Sequence, residues 1–158
     1  MQQLTILNSR AVKKIREIVI KQFGYFLEGD YAFLQNEKER VFIINKDLAK
    51  VETKNLRIDR IGLYFAEVKE NQVRLSKEGA QLLAEEAKKN NQQLKNVISL
   101  DHDQVKKYFT GENLDQDLGE ENRFVLLQYE NDIFGCAKYK NKVILNFLPK
   151  IHRGEVII

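Results

Sequence analysis

The sequence predicts an α+β protein with two units: a mixed antiparallel sheet with helices over residues 1–92, and a small, partly closed β-barrel over residues 93–158. Three observations support this prediction. Two segments have apolar residues at helical spacing, and short alternating apolar runs separated by turn residues accompany them. Residues 88–93 are polar and have no apolar periodicity, which predicts a domain boundary there.

In the first unit, Asn8 or Ser9 is placed to cap a helix that ends at Gly24, a residue typical of helix ends. Ser76 is placed to cap a second helix over residues 77–89. Short apolar runs between the two helices predict strands, with a hairpin turn at residues 70–71. These strands are predicted at 25–27, 31–34, 41–44, 58–68 and 73–75, with a short helix at 47–50.

In the second unit, Asp101 and Gln104 have the spacing of a capping box, which predicts a helix through Phe109. One helix with several short antiparallel strands in so small a unit favours a compact, partly closed barrel. Residues 115–122 predict a long acidic loop. The strands are predicted at 97–100, 124–129, 133–139, 143–148 and 156–158, with turns at 130–131 and 140–141.

Charge is segregated along the second unit, because an acidic stretch over residues 101–132 is followed by a basic one. Strand side chains alternate between two faces, so Lys138, Lys140 and Lys142 are predicted to share one face of an extended ribbon. Such a face can bind a polyanion, but lysines also protect exposed edge strands from pairing, and periodicity alone favours neither. The apolar face after the turn is predicted to comprise Val143, Leu145 and Phe147.

The composition is that of a globular protein, since 43% of residues are hydrophobic and only one is proline. A single cysteine excludes an internal disulfide framework and favours a reducing compartment, so we expect a cytoplasmic protein. No apolar run is long enough to span a bilayer, and the N-terminus lacks the order of a signal peptide. We therefore expect no membrane partner.

The sequence predicts no catalytic site, metal site or cofactor. It contains neither GxGxxG nor a P-loop pattern. Cys136 lies in an apolar strand, which is typical of a buried structural thiol. Asp101, His102 and Asp103 are neighbours at a helix start and do not converge on one face, as metal ligands would. The prediction is a binding protein and not an enzyme.

Cations beside aromatic residues suit a phosphate backbone and a stacked base. Tyr139 and Phe147 are the aromatic candidates, although their alternation also fits a packed core. His152 lies between Lys150 and Arg153, where we expect a surface or phosphate-contact role rather than general-base chemistry.

The C-terminal residues resemble the closing motif of a PUA-type RNA-binding domain: Gly135-Cys136-Ala137-Lys138, then Asn146, Pro149-Lys150 and Arg153. The likeness is to the PUA-like domain that ends the Nol/Nop/Sun (fmu) family of rRNA cytosine methyltransferases. Gly111 and Leu114 match the segment after the first helix of that domain. The N-terminal unit resembles the pre-PUA domain of small two-domain large-subunit assembly factors, chiefly through residues 61–65.

The resemblance implies a free-standing ribosome-biogenesis protein that has the RNA-binding end of the methyltransferase without its catalytic domain. Its RNA would be rRNA in preference to tRNA, with an RNA methyltransferase or pre-ribosomal proteins as further partners. The alternative is a protein-interaction adaptor whose basic ribbon binds an acidic partner, such as an RNA methyltransferase. The resemblance implies RNA contacts by Lys138, Asn146, Lys150 and Arg153, and charge alone adds Lys140 and Lys142. His152 is added for its place between Lys150 and Arg153.

Overall fold

The computed structural model describes residues 4–46, 62–148, 150 and 153–154, and over these ranges the chain forms two five-stranded sheets and three helices. The predicted α+β class is confirmed. The predictions at 47–50 and 156–158, and the start of the strand predicted at 58–68, lie outside the described residues. The elements are β1 (Thr5–Ile6), α1 (Ser9–Phe23), β2 (Tyr31–Gln35), β3 (Arg40–Asn45), β4 (Leu63–Lys69), β5 (Gln72–Leu75), α2 (Lys77–Lys89), β6 (Val97–Leu100), α3 (His102–Phe109), β7 (Leu114–Asp115), β8 (Arg123–Tyr129), β9 (Asp132–Lys140) and β10 (Val143–Leu145).

Helix α1 begins after Asn8, whose side-chain oxygen accepts a hydrogen bond from the backbone N–H of Ala11 at 2.9 Å. Asn8 rather than Ser9 is therefore the cap. The helix ends at Gly24, which has a φ of 85° and adopts this left-handed conformation without a Cβ clash. The buried side of the helix consists of Ile15, Val19 and Phe23.

The first sheet is antiparallel throughout and has the strand order β1-β2-β3-β4-β5. The predicted strand at residues 25–27 is wrong, because these residues are buried in an irregular connection between α1 and β2. The next backbone N–H groups, of Glu28 and Gly29, both donate to the carboxylate of Glu86 on α2 at 2.8 Å. A short apolar run can be buried as a strand or as an irregular connection, so the apolar pattern alone does not distinguish the two.

Helix α2 covers the predicted residues and is joined tightly to the first sheet. The Ser76 hydroxyl accepts a hydrogen bond from the N–H of Gly79 at 2.8 Å and donates one to the carbonyl oxygen of Tyr64 on β4. The helix also contacts β9 of the second sheet. It therefore links the two sheets.

The second sheet is a curled half-barrel with the strand order β6-β8-β9-β10-β7. Strands β6 and β8 are parallel, whereas the sequence predicts only antiparallel strands here. Parallel strands need a long crossover connection, and the segment between β6 and β8 supplies one because it contains α3. The core between this sheet and α3 includes Val105, Tyr108, Val125, Leu127, Tyr139 and Ile144.

The other face of the second sheet packs onto the first unit. Leu126 of β8 and Cys136 of β9 belong to the same buried cluster as Phe65 of β4 and Leu83 of α2. The predicted boundary at residues 92/93 lies in the loop between α2 and β6. It stays a prediction, and apolar packing continues across it.

Gly79 offers a test of the contact between α2 and β4, because a Cβ added there would overlap the carbonyl oxygen of Phe65. Helix propensity alone would make Gly79→Ala stabilising by about 1 kcal/mol. We expect instead that the free energy of unfolding falls by about 2 kcal/mol, since the helix must move away from the strand. Urea denaturation would measure this. Gly154→Ala, where an added Cβ meets no neighbour, is the control, and an unchanged or more stable Gly79→Ala protein would contradict the close packing.

Candidate nucleic-acid interface

The turn between β9 and β10 decides which side chains of these strands face outward. Asn141 and Lys142 have φ values of 51° and 65°, as primed two-residue hairpin turns require. The turn therefore lies one residue later than predicted. The register pairs Val143 with Lys140, Ile144 with Tyr139 and Leu145 with Lys138.

This register reverses the predicted faces of β10, because cross-strand partners share a face. Ile144 is fully buried opposite Tyr139, whereas Val143 and Leu145 are only half-buried on the lysine side. The prediction that Val143 and Leu145 form the packed apolar face is wrong. A two-residue turn pairs the residues on its two sides, so even the predicted turn at 140–141 would have placed Val143 opposite Lys138.

Lys138 and Lys140 share the outward face of β9, as predicted. The Lys138 ammonium lies 4.6 Å from the ring centroid of Phe124 and 3.4 Å from Oε1 of Gln72. Lys138 is half-buried along its stem, while Lys140 is exposed. Within the described ranges, neither ammonium group pairs with a carboxylate. This face can therefore offer both charges to an anion.

Lys142 does not belong to this face, because the turn removes it from the strand. Its ammonium lies 3.8 Å from Oδ2 of Asp117, and both side chains are more than 60% exposed. An exposed pair of this kind contributes little to stability. The prediction that three lysines share one face is correct for two of them.

Asn146 holds the segment after β10 against α3. Its Nδ2 donates to the carbonyl oxygens of Tyr108 at 2.6 Å and Glu112 at 2.8 Å, and its Oδ1 accepts from the N–H of Leu148 at 2.9 Å. The side chain that the resemblance assigns to RNA thus bonds to the protein backbone. Through the bond to its Oδ1, Asn146 also holds Leu148 in place.

Two further cations, Lys150 and Arg153, follow Leu148 in the sequence. Arg153 Nε donates to the carbonyl oxygen of Leu148 at 2.9 Å, and its stem lies against Gly111, whose φ is 98°. The residue is nevertheless exposed, as is Lys150. His152 lies outside the described residues.

The structure distinguishes the two aromatic candidates. Tyr139 is fully buried, and its hydroxyl accepts from the N–H of Leu118 at 2.8 Å and donates to the carbonyl oxygen of Gly119 at 2.7 Å. Phe147 is 39% exposed, and the guanidinium carbon of Arg74 lies 5.0 Å from its ring centroid. Only Phe147 is therefore open to a ligand.

Arg74 is a member of this surface that the sequence did not predict. It lies on β5 of the first sheet and pairs with Glu67 at 3.2 Å. The alternation of β5 directs Arg74 away from the core side that holds Val73 and Leu75. Its contact with Phe147 depends on how the two sheets pack, which no local pattern indicates.

Other kinds of site find little support in the part of the chain that the structure describes. It holds no group of three or more potential metal ligands, and no helix there is long and apolar enough to cross a membrane. Cys136 is buried, as predicted, and burial raises the pKa of its thiol to about 12. A nucleophilic cysteine needs the thiolate form, which this environment disfavours.

The C-terminal unit is similar to a known RNA-associated domain. Residues 95–153 match the family model for the PUA domain of the methyltransferase RsmF. This match supports a PUA-type domain and suggests RNA binding, and it includes all of the predicted contact residues and none of the first sheet. No curated protein matches the chain.

The hydrogen bonds of Asn146 predict a structural role that can be measured without RNA. We expect Asn146→Ala to lower the free energy of unfolding by about 2 kcal/mol, because it removes three side-chain hydrogen bonds to the backbone at Tyr108, Glu112 and Leu148. Urea denaturation would measure the loss. Asn131→Ala, in the exposed turn between β8 and β9, is the matched control and should change stability little. Equal stability of both variants would return Asn146 to the RNA-contact assignment.

The buried thiol predicts that stability falls at high pH. The pKa of Cys136 is about 12 in the folded protein against an ordinary value of 9.0, so between these values the unfolded chain loses its proton first. The contribution of this thiol to the free energy of unfolding is therefore fully present below about pH 9. It falls as the pH rises, by up to about 1.4 kcal/mol per pH unit. Urea denaturation of wild type and Cys136→Ala across this range should give a shallower decline for the variant. Parallel declines would contradict the burial of the thiol.

Proposed function

We propose that this protein binds structured RNA through its C-terminal unit and acts on rRNA, or alternatively tRNA, in ribosome biogenesis. The observation that carries the proposal is the match of residues 95–153 to the PUA domain of the methyltransferase RsmF. The outward face of β9 supports it, because Lys138 and Lys140 have no carboxylate partner in the described ranges. Lysines that neutralise phosphates release counterions, and this release is a main source of affinity for nucleic acids.

Recognition in this proposal depends on shape and on phosphates. Structured RNA is bound mostly through its backbone and the shape of its grooves, and base contacts add selectivity. Lys150 and Arg153 extend the positive charge beyond β10. Asn146 acts indirectly, by holding Leu148, two residues before Lys150.

The proposed role includes no catalytic step and is placed in the cytoplasm. A thiol with a pKa near 12 is a poor nucleophile at neutral pH, which is consistent with binding rather than catalysis. The first unit would provide a second contact surface, for the same RNA or for a partner such as an RNA methyltransferase.

Salt dependence tests the proposal. Three to five phosphate contacts give a slope of log affinity against log salt of about −2 to −4, and removing three of them should reduce its magnitude by about 2 to 3. We expect this reduction for the triple variant Lys138→Gln, Lys140→Gln, Lys150→Gln, measured by fluorescence anisotropy with rRNA fragments and tRNA. Arg153 is left intact because it also bonds to the backbone of Leu148.

The matched control removes the same charge from exposed helix positions, as Lys14→Gln, Lys21→Gln, Lys89→Gln. It should bind RNA nearly as wild type does. An equal loss in this control would refute the assignment of the β9 face. Failure of wild type to bind either RNA at low salt would refute the proposed function, and an adaptor for an acidic protein partner would take its place.

A further inference from the structure

The two sheets meet along a seam that places an arginine of the first beside an aromatic ring of the second. The seam consists of Gln72 and Arg74 of β5, Lys138 of β9, and Phe147, which follows β10. The Arg74 guanidinium carbon lies 5.0 Å from the Phe147 ring centroid, and the Lys138 ammonium lies 3.4 Å from Oε1 of Gln72. Cys136, two residues before Lys138, is buried in the core shared by both units, so packing fixes the seam in place.

Phe147 is open to solvent where most large apolar side chains are not. Among the residues that the structure describes, the exposed large apolar residues are Ile6, Ile20 and Phe147. Phe147 is the only aromatic one of the three, and the Arg74 guanidinium lies over its ring. A single exposed apolar residue needs no explanation. An exposed aromatic ring held beside a guanidinium is different, because proteins that bind single strands stack bases on such rings and on arginine planes.

The charge around the ring is positive. Arg74 pairs with Oε2 of Glu67 at 3.2 Å, while the other oxygen of that carboxylate lies 3.2 Å from the ammonium of Lys69. One carboxylate thus balances only one of two cations. Lys138 and Lys140 add two more charges on the opposite side of the seam. This excess suits the phosphates on either side of a bound base.

The seam selects for an unpaired nucleotide. Neighbouring bases cover both faces of every base inside a duplex, so such a base cannot lie flat on Phe147, whereas an unpaired base can. The lysines have no such requirement, since the phosphates of a duplex are on its outside. A comparison of single-stranded with double-stranded RNA therefore distinguishes binding at the Phe147 ring from binding at the lysine face.

We propose that the seam binds an unpaired nucleotide of the RNA, with its base stacked on Phe147 and its adjoining phosphates held by Arg74 and Lys138. The inference rests on the proposed function, and it extends the RNA site into the first unit. Arg74 lies outside residues 95–153, the range that matches a PUA domain. The site is therefore incomplete in the C-terminal unit alone.

The test compares a short single-stranded RNA of mixed sequence with the blunt-ended duplex that it forms with its complement. We expect Phe147→Leu, which keeps apolar bulk but no ring, to weaken single-strand binding about tenfold, and Phe147→Tyr, which keeps a ring, to bind nearly as wild type does. Arg74→Gln should weaken single-strand binding about fivefold. Binding of the duplex should stay within about twofold of wild type for both Phe147 variants, because neither changes a charge.

A 2-aminopurine base in the single strand gives a second readout, since its transfer from neighbouring bases to Phe147 should change its fluorescence with wild type and not with Phe147→Leu. Ile20→Leu, on α1 and 38% exposed, is the matched control and should change neither RNA affinity. Urea denaturation checks that each variant is folded.

If wild type binds both RNAs and Phe147→Leu binds the single strand equally well, the proposed nucleotide site at the seam is refuted. The proposed function is then unaffected. Equal losses of Phe147→Leu on both RNAs would also refute the site, because they would indicate a general effect on the surface. Binding of neither RNA by wild type would refute the proposed function and this inference with it.

Discussion

Asn141 and Lys142 both adopt left-handed backbone conformations, and the register of β9 with β10 depends on them. Because strand side chains alternate, this turn fixes which residues face α3 and which face the opposite side. Tyr139 and Ile144 are directed into the core of the half-barrel. The lysines occupy the alternate positions of β9, so they are directed to the other face. The same constraint that fills the core therefore also creates the cationic surface.

That outward face of the second sheet has two roles along its length. At one end, Leu126 and Cys136 are buried against the first unit. Toward the turn, Lys138 and Lys140 emerge from the contact and reach solvent. Burial of one end limits the motion of the other, so the lysines are presented from a rigid strand. A surface held in this way loses less conformational freedom when it binds a partner.

The elements that the sequence predicted best are those with chemical signals at their own ends. Asn8, Ser76 and Asp101 each cap a helix through a side-chain bond that spacing alone indicates. The wrong predictions concern segments whose local pattern does not indicate which other segment they pair with. A buried apolar run at residues 25–27 joins no sheet, β6 pairs in parallel with β8, and the β9–β10 turn is displaced by one residue.

The candidate site shows the same limit. The alternation of lysines on β9 was visible in the sequence, whereas Arg74 is distant from Phe147 along the chain and meets it only through packing of the sheets. The resemblance identified Asn146 and Arg153 as motif residues, but a motif records residue types and not the atoms that they contact. In the structure both side chains bond to the backbone of Leu148, so both hold Leu148 in place.

The core shared by the two units determines how the chain can be divided. Separation at residues 92/93 would uncover Leu126 and Cys136 and would remove α2 from β9. The isolated C-terminal part would then present an apolar sheet face to water, which favours self-association. The two units are thermodynamically linked, so a partner that binds only the folded form of one unit also stabilises the other. Residues 95–153 are thus the range of the sequence match, and the buried cluster that contains Leu126 and Cys136 extends beyond it into the first sheet.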